Sequence, residues 1–215
     1  MYDFVSGPLV WIAFILFVGG LAYQFIRMLR MAQKDKVVYP YMSLKYGFRS
    51  LLHWLVPFAS RNMRMRYETT IVTFAFHICL LLVPIFLTAH VVMFSSAWGP
   101  QWGTFSEGVA DSLTALVILA AFFFLTRRWM LPEVRFVTLP SDYLLLAIVA
   151  APFLTGFIAH HQWFGYETMV VIHMISGAVM LVAIPFTRLS HMLFFPFTRA
   201  YMGSEFGAVR HAKDW

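Results

Sequence analysis

Residues 70–94 read TIVTFAFHICLLLVPIFLTAHVVMF, twenty-five positions without a single Asp, Glu, Lys or Arg. About twenty apolar residues wound as an α-helix cross the roughly 30 Å of a bilayer's hydrocarbon core. A barrel strand would be about half as long and would alternate apolar with polar residues, which this run does not do. The stretch therefore predicts a transmembrane helix. It also holds two histidines, His77 and His90. Ionisable side chains are costly at such depth and mark function by default.

Four more apolar blocks lie on either side, at 8–28, 112–125, 143–159 and 168–186. The third is short unless residues 108–112 extend it. Hydrophobic residues make up 60% of the 215 and charged residues only 12%, with a mean hydropathy of +0.73. Soluble domains carry about 25% charged residues. The expected fold is all-α and integral to the membrane, a bundle of five transmembrane helices.

The basic residues give that bundle an orientation. With five spans, all sixteen Lys and Arg fall on one side, from Arg27 to Arg66, from Arg127 to Arg135 and from Arg188 to Lys213. The opposite side (1–7, 95–111 and 160–167) holds none, but carries Asp3, Glu107, Asp111 and Glu167. Under the positive-inside rule the N-terminus lies outside and the C-terminus in the cytoplasm. The formal charge of +6 is thus a topology signal and not a nucleic-acid footprint. Asp3 and the lack of a basic start argue against a cleavable signal peptide.

One transmembrane domain is expected over residues 1–200, followed by a polar cytoplasmic tail over 201–215. Within it, residues 44–58 place Leu44, Phe48, Leu51, Leu52 and Leu55 on one helical face, with Lys45 and Arg49 off it. That is the pattern of an amphipathic helix in the membrane interface. Filling a groove beneath the bundle or docking a partner would suit the pattern as well. Pro-Phe followed closely by Arg recurs at 57–61, 185–188 and 196–199. It reads as a helix stop, an interfacial aromatic and a snorkelling cation. A sharper use would pair Arg188 or Arg199 with a cofactor's carboxylates.

Eight histidines are many for so apolar a chain. Imidazoles facing one another across a helical bundle are a usual means of holding haem iron. His173 and His191 stand eighteen residues apart. On one ideal helix that is five turns and about 27 Å, with both rings on the same face. His77 and His90 differ by thirteen residues, a phase of roughly 220°, so a kink near Pro84 is needed to align them. Depth then pairs His77 with His191 and His90 with His173, one pair per leaflet. The plain alternative is that some of these rings only hydrogen-bond between helices. Asp111, His160, His161 and Glu107 gather by topology on the outer side, as solvated helix ends or as proton acceptors. His53 reads as interfacial and His211 as a tail residue. A single cysteine, Cys79, excludes Cys-x-x-Cys-His haem attachment and four-thiolate iron–sulfur ligation within this chain.

Phe76-His77-Ile78 through His90 resembles the second helix of the gamma-subunit family of respiratory nitrate reductase. Ile172-His173-Met174 through Ile184-Pro185-Phe186-Thr187-Arg188-Leu189-Ser190-His191 resembles that family's last helix, and Arg127-Arg128 matches the end of its third span. The resemblance implies a membrane cytochrome b with two haem b groups, ligated by His77, His90, His173 and His191. Such a subunit passes electrons between a quinone pool (menaquinone, for instance) or a periplasmic cytochrome c and cytoplasmic redox subunits. It also implies residence in the cytoplasmic membrane of a bacterium or archaeon. The interval between the two histidines of the second span is longer here than in the nitrate reductase subunits, and no lysine lies on the outer side. The long gap with His53-Trp54 and Pro57-Phe58 is closer to relatives in the transmembrane redox complexes of sulfate-respiring bacteria. There a multihaem cytochrome c docks outside and an iron–sulfur protein inside. The competing reading is a non-redox membrane anchor or small transporter with structural or proton-relay histidines. Paired broken helices and inverted repeats, the marks of a carrier, are not evident.

Overall fold

The computed structural model describes residues 2–214, and its regular structure is all helix, with no strand among the described residues. Helical residues Tyr2–Phe4 and a π-turn Val5–Leu9 lead into α1 (Val10–Lys34). Then come α2 (Leu44–Leu55), α3 (Arg61–Met65), α4 (Tyr67–Phe86) and α5 (Thr88–Trp98). They are followed by α6 (Glu107–Met130), α7 (Pro132–Phe136), α8 (Pro140–His160), α9 (Tyr166–Phe186) and α10 (His191–Ser204). Among the described residues, five helical stretches are long and apolar enough to cross a membrane: Tyr2–Lys34, Tyr67–Phe86, Glu107–Met130, Pro140–His160 and Tyr166–Phe186. The third expected span does take in residues 108–112, because Ser106 opens the helix with extended backbone and Glu107 follows in its first turn.

The chain forms two compact units. One comprises residues up to Ser6 together with Ile71–Met180, and the other Gly7–Thr70 together with the chain from Leu181 onward.

In the first unit α6 and α8 pack side by side. Apart from Phe153, their buried residues are small or compact, with Ala110, Val117, Ala120 and Ala121 on α6 and Val149, Pro152 and Ala159 on α8. Small residues let helix backbones approach where lipid offers no hydrophobic drive to association. The other faces are apolar and exposed, as at Leu119 and Phe122. On a soluble protein such stripes would be sticky patches, whereas in hydrocarbon they are the ordinary lipid-facing side. Hydroxyls within the spans donate to their own helix: Thr114 to the Ala110 carbonyl, Thr126 to Phe122 and Thr155 to Ala151. That satisfies each one without water.

The second apolar segment is broken. α4 stops at Phe86, Leu87 is extended, and α5 restarts at Thr88. A regular helix would carry amides 88, 89 and 90 onto carbonyls 84, 85 and 86. Here those three carbonyls have other donors. His90 Nδ1 lies 3.0 Å from the Pro84 oxygen, Trp102 Nε1–H donates to Ile85 at 2.7 Å, and the Phe105 amide donates to Phe86 at 2.9 Å. The three carbonyls freed at the break are therefore all satisfied within the chain. Gly99, at φ +88°, ends α5 and turns the chain back towards the break.

In the second unit α2 and α10 pack face to face. A Cβ on Gly47 would stand 3.1 Å from the Ala200 Cβ, and one on Gly203 would stand 2.6 Å from the Ser50 Cβ. Ser204 Oγ accepts from the Ser43 amide at 3.1 Å. Arg199 pairs with Asp214 at 2.5 Å, donates to Ser50 and lies 4.6 Å over the Trp54 ring. Tyr201 donates to Asp35 at 2.5 Å. The polar tail expected after residue 200 is thus folded: α10 continues to Ser204, and Asp214 is buried. α1 is fitted to the end of α9 in the same unit, where Gly20 leaves room for Pro185 and Gln24 Nε2 donates to its carbonyl at 3.0 Å.

Candidate functional site

His90 is set by the break just described. Starting a new helix at Thr88 discards the phase that a continuous helix would have imposed. His173 sits mid-helix on α9. The two rings lie in the first unit, with centres 6.0 Å apart and planes 12° from parallel. Each ring's Nδ1 is bound to a proline carbonyl, His90 to Pro84 at 3.0 Å and His173 to Pro152 at 2.9 Å. A carbonyl can only accept, so the proton sits on Nδ1 and Nε2 carries the lone pair. The Pro84 carbonyl is released from its intrahelical partner by the break at Leu87, whereas the Pro152 carbonyl meets His173 from within the continuous helix α8 and also accepts from Thr155 at 3.4 Å. Thr155 Oγ1 lies 3.5 Å from His173 Nδ1 and 3.2 Å from Ser176 Oγ.

Gly156 completes the cradle. A Cβ there would come within 2.9 Å of His173 Cε1 and 3.0 Å of Nδ1. The α8 backbone thus presses on one side of the imidazole, and an alanine would have to push the ring aside.

The 6.0 Å between the ring centres matches the spacing of two imidazoles on one metal ion. Metal–imidazole bonds are about 2 Å long, so ring centres on either side of one ion stand roughly 6 Å apart. Ligating histidines typically donate their other nitrogen to a carbonyl or carboxylate, which fixes the tautomer. Among the described residues, no three His, Cys, Asp or Glu side chains converge to cage a bare metal ion. A haem iron asks the protein only for its axial ligands.

His77 and His191 share the same fixed tautomer. His77 Nδ1 donates to the Thr73 carbonyl at 2.7 Å, and His191 Nδ1 to the Arg188 carbonyl at 2.8 Å. They belong to different units, His77 to the first and His191 to the second. His191 does not share a helix with His173. α9 ends at Phe186, Thr187 is extended, a 3₁₀ turn spans Arg188–Ser190, and His191 opens α10. The five-turn count on one ideal helix therefore does not describe this pair. Pro185 explains the interruption, and the Thr187 hydroxyl caps the new turn by accepting from the Leu189 amide.

Of the two arginines considered for cofactor carboxylates, Arg188 starts that turn and supplies the carbonyl that holds His191. Arg199 is engaged by the chain's own Asp214. Asp111 and His161 do meet: His161 Nε2 lies 3.0 Å from Asp111 Oδ1, with the imidazole stacked on Trp163 at 5.2 Å. His160 borders His161 edge-on at 5.2 Å. His161 caps α8 five residues beyond Gly156, about 7.5 Å further along the helix. Trp102, Phe105, Thr155 and Gly156 were not legible as site residues. Only the prolines flanking the histidines hinted that broken helices shape it.

A protein of Nitratidesulfovibrio vulgaris that carries no functional name is 37% identical over 215 residues, spanning 98% of this chain and 95% of its own length. The chain belongs to that protein's family. No protein-family model and no solved structure matches it. Membership covers all five apolar helices and brings no assigned activity with it.

Proposed function

We propose that the chain is a dihaem cytochrome b that conducts electrons across a bacterial or archaeal cytoplasmic membrane within a respiratory complex. The observation that carries this is the His90–His173 pair, parallel at 6.0 Å with both Nδ1 atoms held by proline carbonyls. Those two histidines would hold the iron of one haem b, and His77 and His191 would serve as further haem ligands. Bound haem would supply one-electron chemistry there. The protein's part is to fix four imidazole tautomers, to exclude water with apolar helices and to space two sites across a slab about 30 Å thick.

The charge asymmetry supports an orientation with the N-terminus outside and the basic, C-terminal side in the cytoplasm. On that reading a cytoplasmic iron–sulfur subunit receives or supplies electrons at the basic side. A periplasmic multihaem cytochrome c or a menaquinol serves the other. For a quinol, Asp111 would accept the released proton through His161, because the pair is hydrogen-bonded and lies along α8 from the cradle of His173. His160 then flanks the exit to solvent. Asp111→Asn would slow quinol oxidation and leave cytochrome oxidation unchanged.

Reconstitution tests the proposal. The chain is placed in lipid vesicles with ferricyanide trapped inside and dithionite added outside. The expected result is ferricyanide loss that depends on the chain and is abolished by His77→Ala and by His90→Ala. Chain-dependent loss untouched by both variants, or no loss at all, would refute a four-histidine electron path.

A further inference from the structure

The α2–α10 pair is built inside out. In a water-soluble helix pair the apolar stripe of each helix meets its partner and the small polar residues face out. Here α2 buries Gly47 and Ser50, and presents Leu44 (94% exposed), Phe48 (63%), Leu52 (47%) and Leu55 (57%) to the surroundings. The facing residues of α10 are again small, with Gly203 and Ser204 buried. The neighbouring chain adds exposed Tyr41, Met42, Val56 and Met65.

The pair is fastened to the ends of membrane helices in its own unit. Asp35, the residue that caps α1, is held by Tyr201 of α10. α10 follows the last apolar helix after one four-residue interruption. The link from α1 to α2 is nine residues and contains a 3₁₀ turn at Tyr39–Tyr41 with Asp35 bonded to the Val37 and Val38 amides. Such a short, internally bonded link keeps α2 within reach of the surface that α1 leaves. The exposed cations Lys34, Lys36, Lys45, Arg61 and Arg66 lie in the same part of the chain. An apolar face beside a basic rim is the chemistry of an anionic lipid surface, apolar side chains among the acyl chains and ammonium groups among phosphates.

We propose that α2, clasped by α10, is a lipid-docking helix that lies in the headgroup layer of an anionic membrane with Leu44, Phe48, Leu52 and Leu55 inserted. The small-residue seam with α10 sets the helix's roll, so that these four side chains point to lipid as a set. This rests on no haem.

Spin labelling of the whole chain in vesicles tests it. The one native cysteine is buried at Cys79, so Cys79→Ser provides a background for single labels at Leu44→Cys, Phe48→Cys and Lys45→Cys. The vesicles are phosphatidylcholine with phosphatidylglycerol. Labels at 44 and 48 should relax faster with dissolved oxygen than with a water-soluble nickel chelate, and the label at 45 should show the inverse ratio. Replacing phosphatidylglycerol by phosphatidylcholine should shift labels 44 and 48 towards the nickel-accessible side. Nickel-dominated relaxation at 44 and 48 with the anionic lipid present would overturn the proposal. Protection from both reagents would overturn it in favour of a protein contact, such as a second copy of the chain. A circular dichroism spectrum matching the unlabelled chain guards against an unfolded variant.

Discussion

Replacing Trp102 by Phe removes one N–H and keeps the aromatic ring. The indole donates to the Ile85 carbonyl at 2.7 Å, one of three bonds that satisfy the break between α4 and α5. The ring itself also packs 5.9 Å from Phe94, a contact phenylalanine can keep. The lost term is therefore the hydrogen bond. At the rim, where water reaches the Trp102 side chain, its net worth is about 1 kcal/mol. That is about a fivefold increase in the equilibrium for opening the break. The assay is amide hydrogen exchange by mass spectrometry on the full chain in detergent. Peptides covering residues 86–106, which include the Phe105 amide bonded to Phe86, should exchange about fivefold faster. Peptides from the middle of α8 should not change. Because His90 takes its phase from the same break, the visible band of one haem should shift in this variant and the other should not. Unchanged exchange over 86–106 would refute the idea that the returning loop holds the break. Faster exchange across all helices would mean the tryptophan serves general stability instead.

Gly156→Ala drives a methyl to within 2.9 Å of His173, so it should cost about 1–3 kcal/mol of stability and lower haem content to one per chain, read by thermal melting and haem assay. The Asp35–Tyr201 bond should make the second unit sensitive to pH at both extremes. Tyr201 holds the Asp35 carboxyl below its usual value, and burial with the Asp35 bond pushes the Tyr201 phenol up to about 12. The stabilisation is complete between the ordinary carboxylate and phenol values. It is lost as pH falls through the depressed Asp35 value and as pH rises through about 12. Tyr201→Phe should flatten both limbs in a melting-temperature profile. Asp214→Ala leaves Arg199 buried without its carboxylate, a loss of about 3 kcal/mol, and Arg199→Ala with Asp214→Ala together should cost less than the sum of the two.

The apolar runs and the placement of every Lys and Arg made the five helices readable, since hydrophobic length is a direct consequence of bilayer thickness. The extension of α6 through residues 108–112 was also readable, because Glu107 and Ser106 suit a helix start. Histidine phase was not. A spacing argument assumes one helix, and both histidine-bearing segments are interrupted, at Leu87 and at Thr187. Pro84 and Pro185 pointed to interruption, but its place depends on donors distant in sequence, Trp102 and Phe105 for the first and Gln24 for the second. The roll of α2 was hidden for a similar reason. Its apolar stripe was plain, but which face meets protein is decided by Gly47 on α2 and Gly203 on α10. The pairing of Arg199 with Asp214, fifteen residues on, was equally hidden, because it depends on how the chain after α10 folds back.

The central claim is that His90 and His173 hold one of two haems. Its most direct test is pyridine haemochrome quantitation on the purified chain beside His90→Ala. The account predicts two haems b per wild-type chain and one in the variant, with the remaining one lost on adding His77→Ala. A well-folded wild-type chain without haem would contradict the cytochrome reading, and two haems retained in His90→Ala would remove His90 as a ligand.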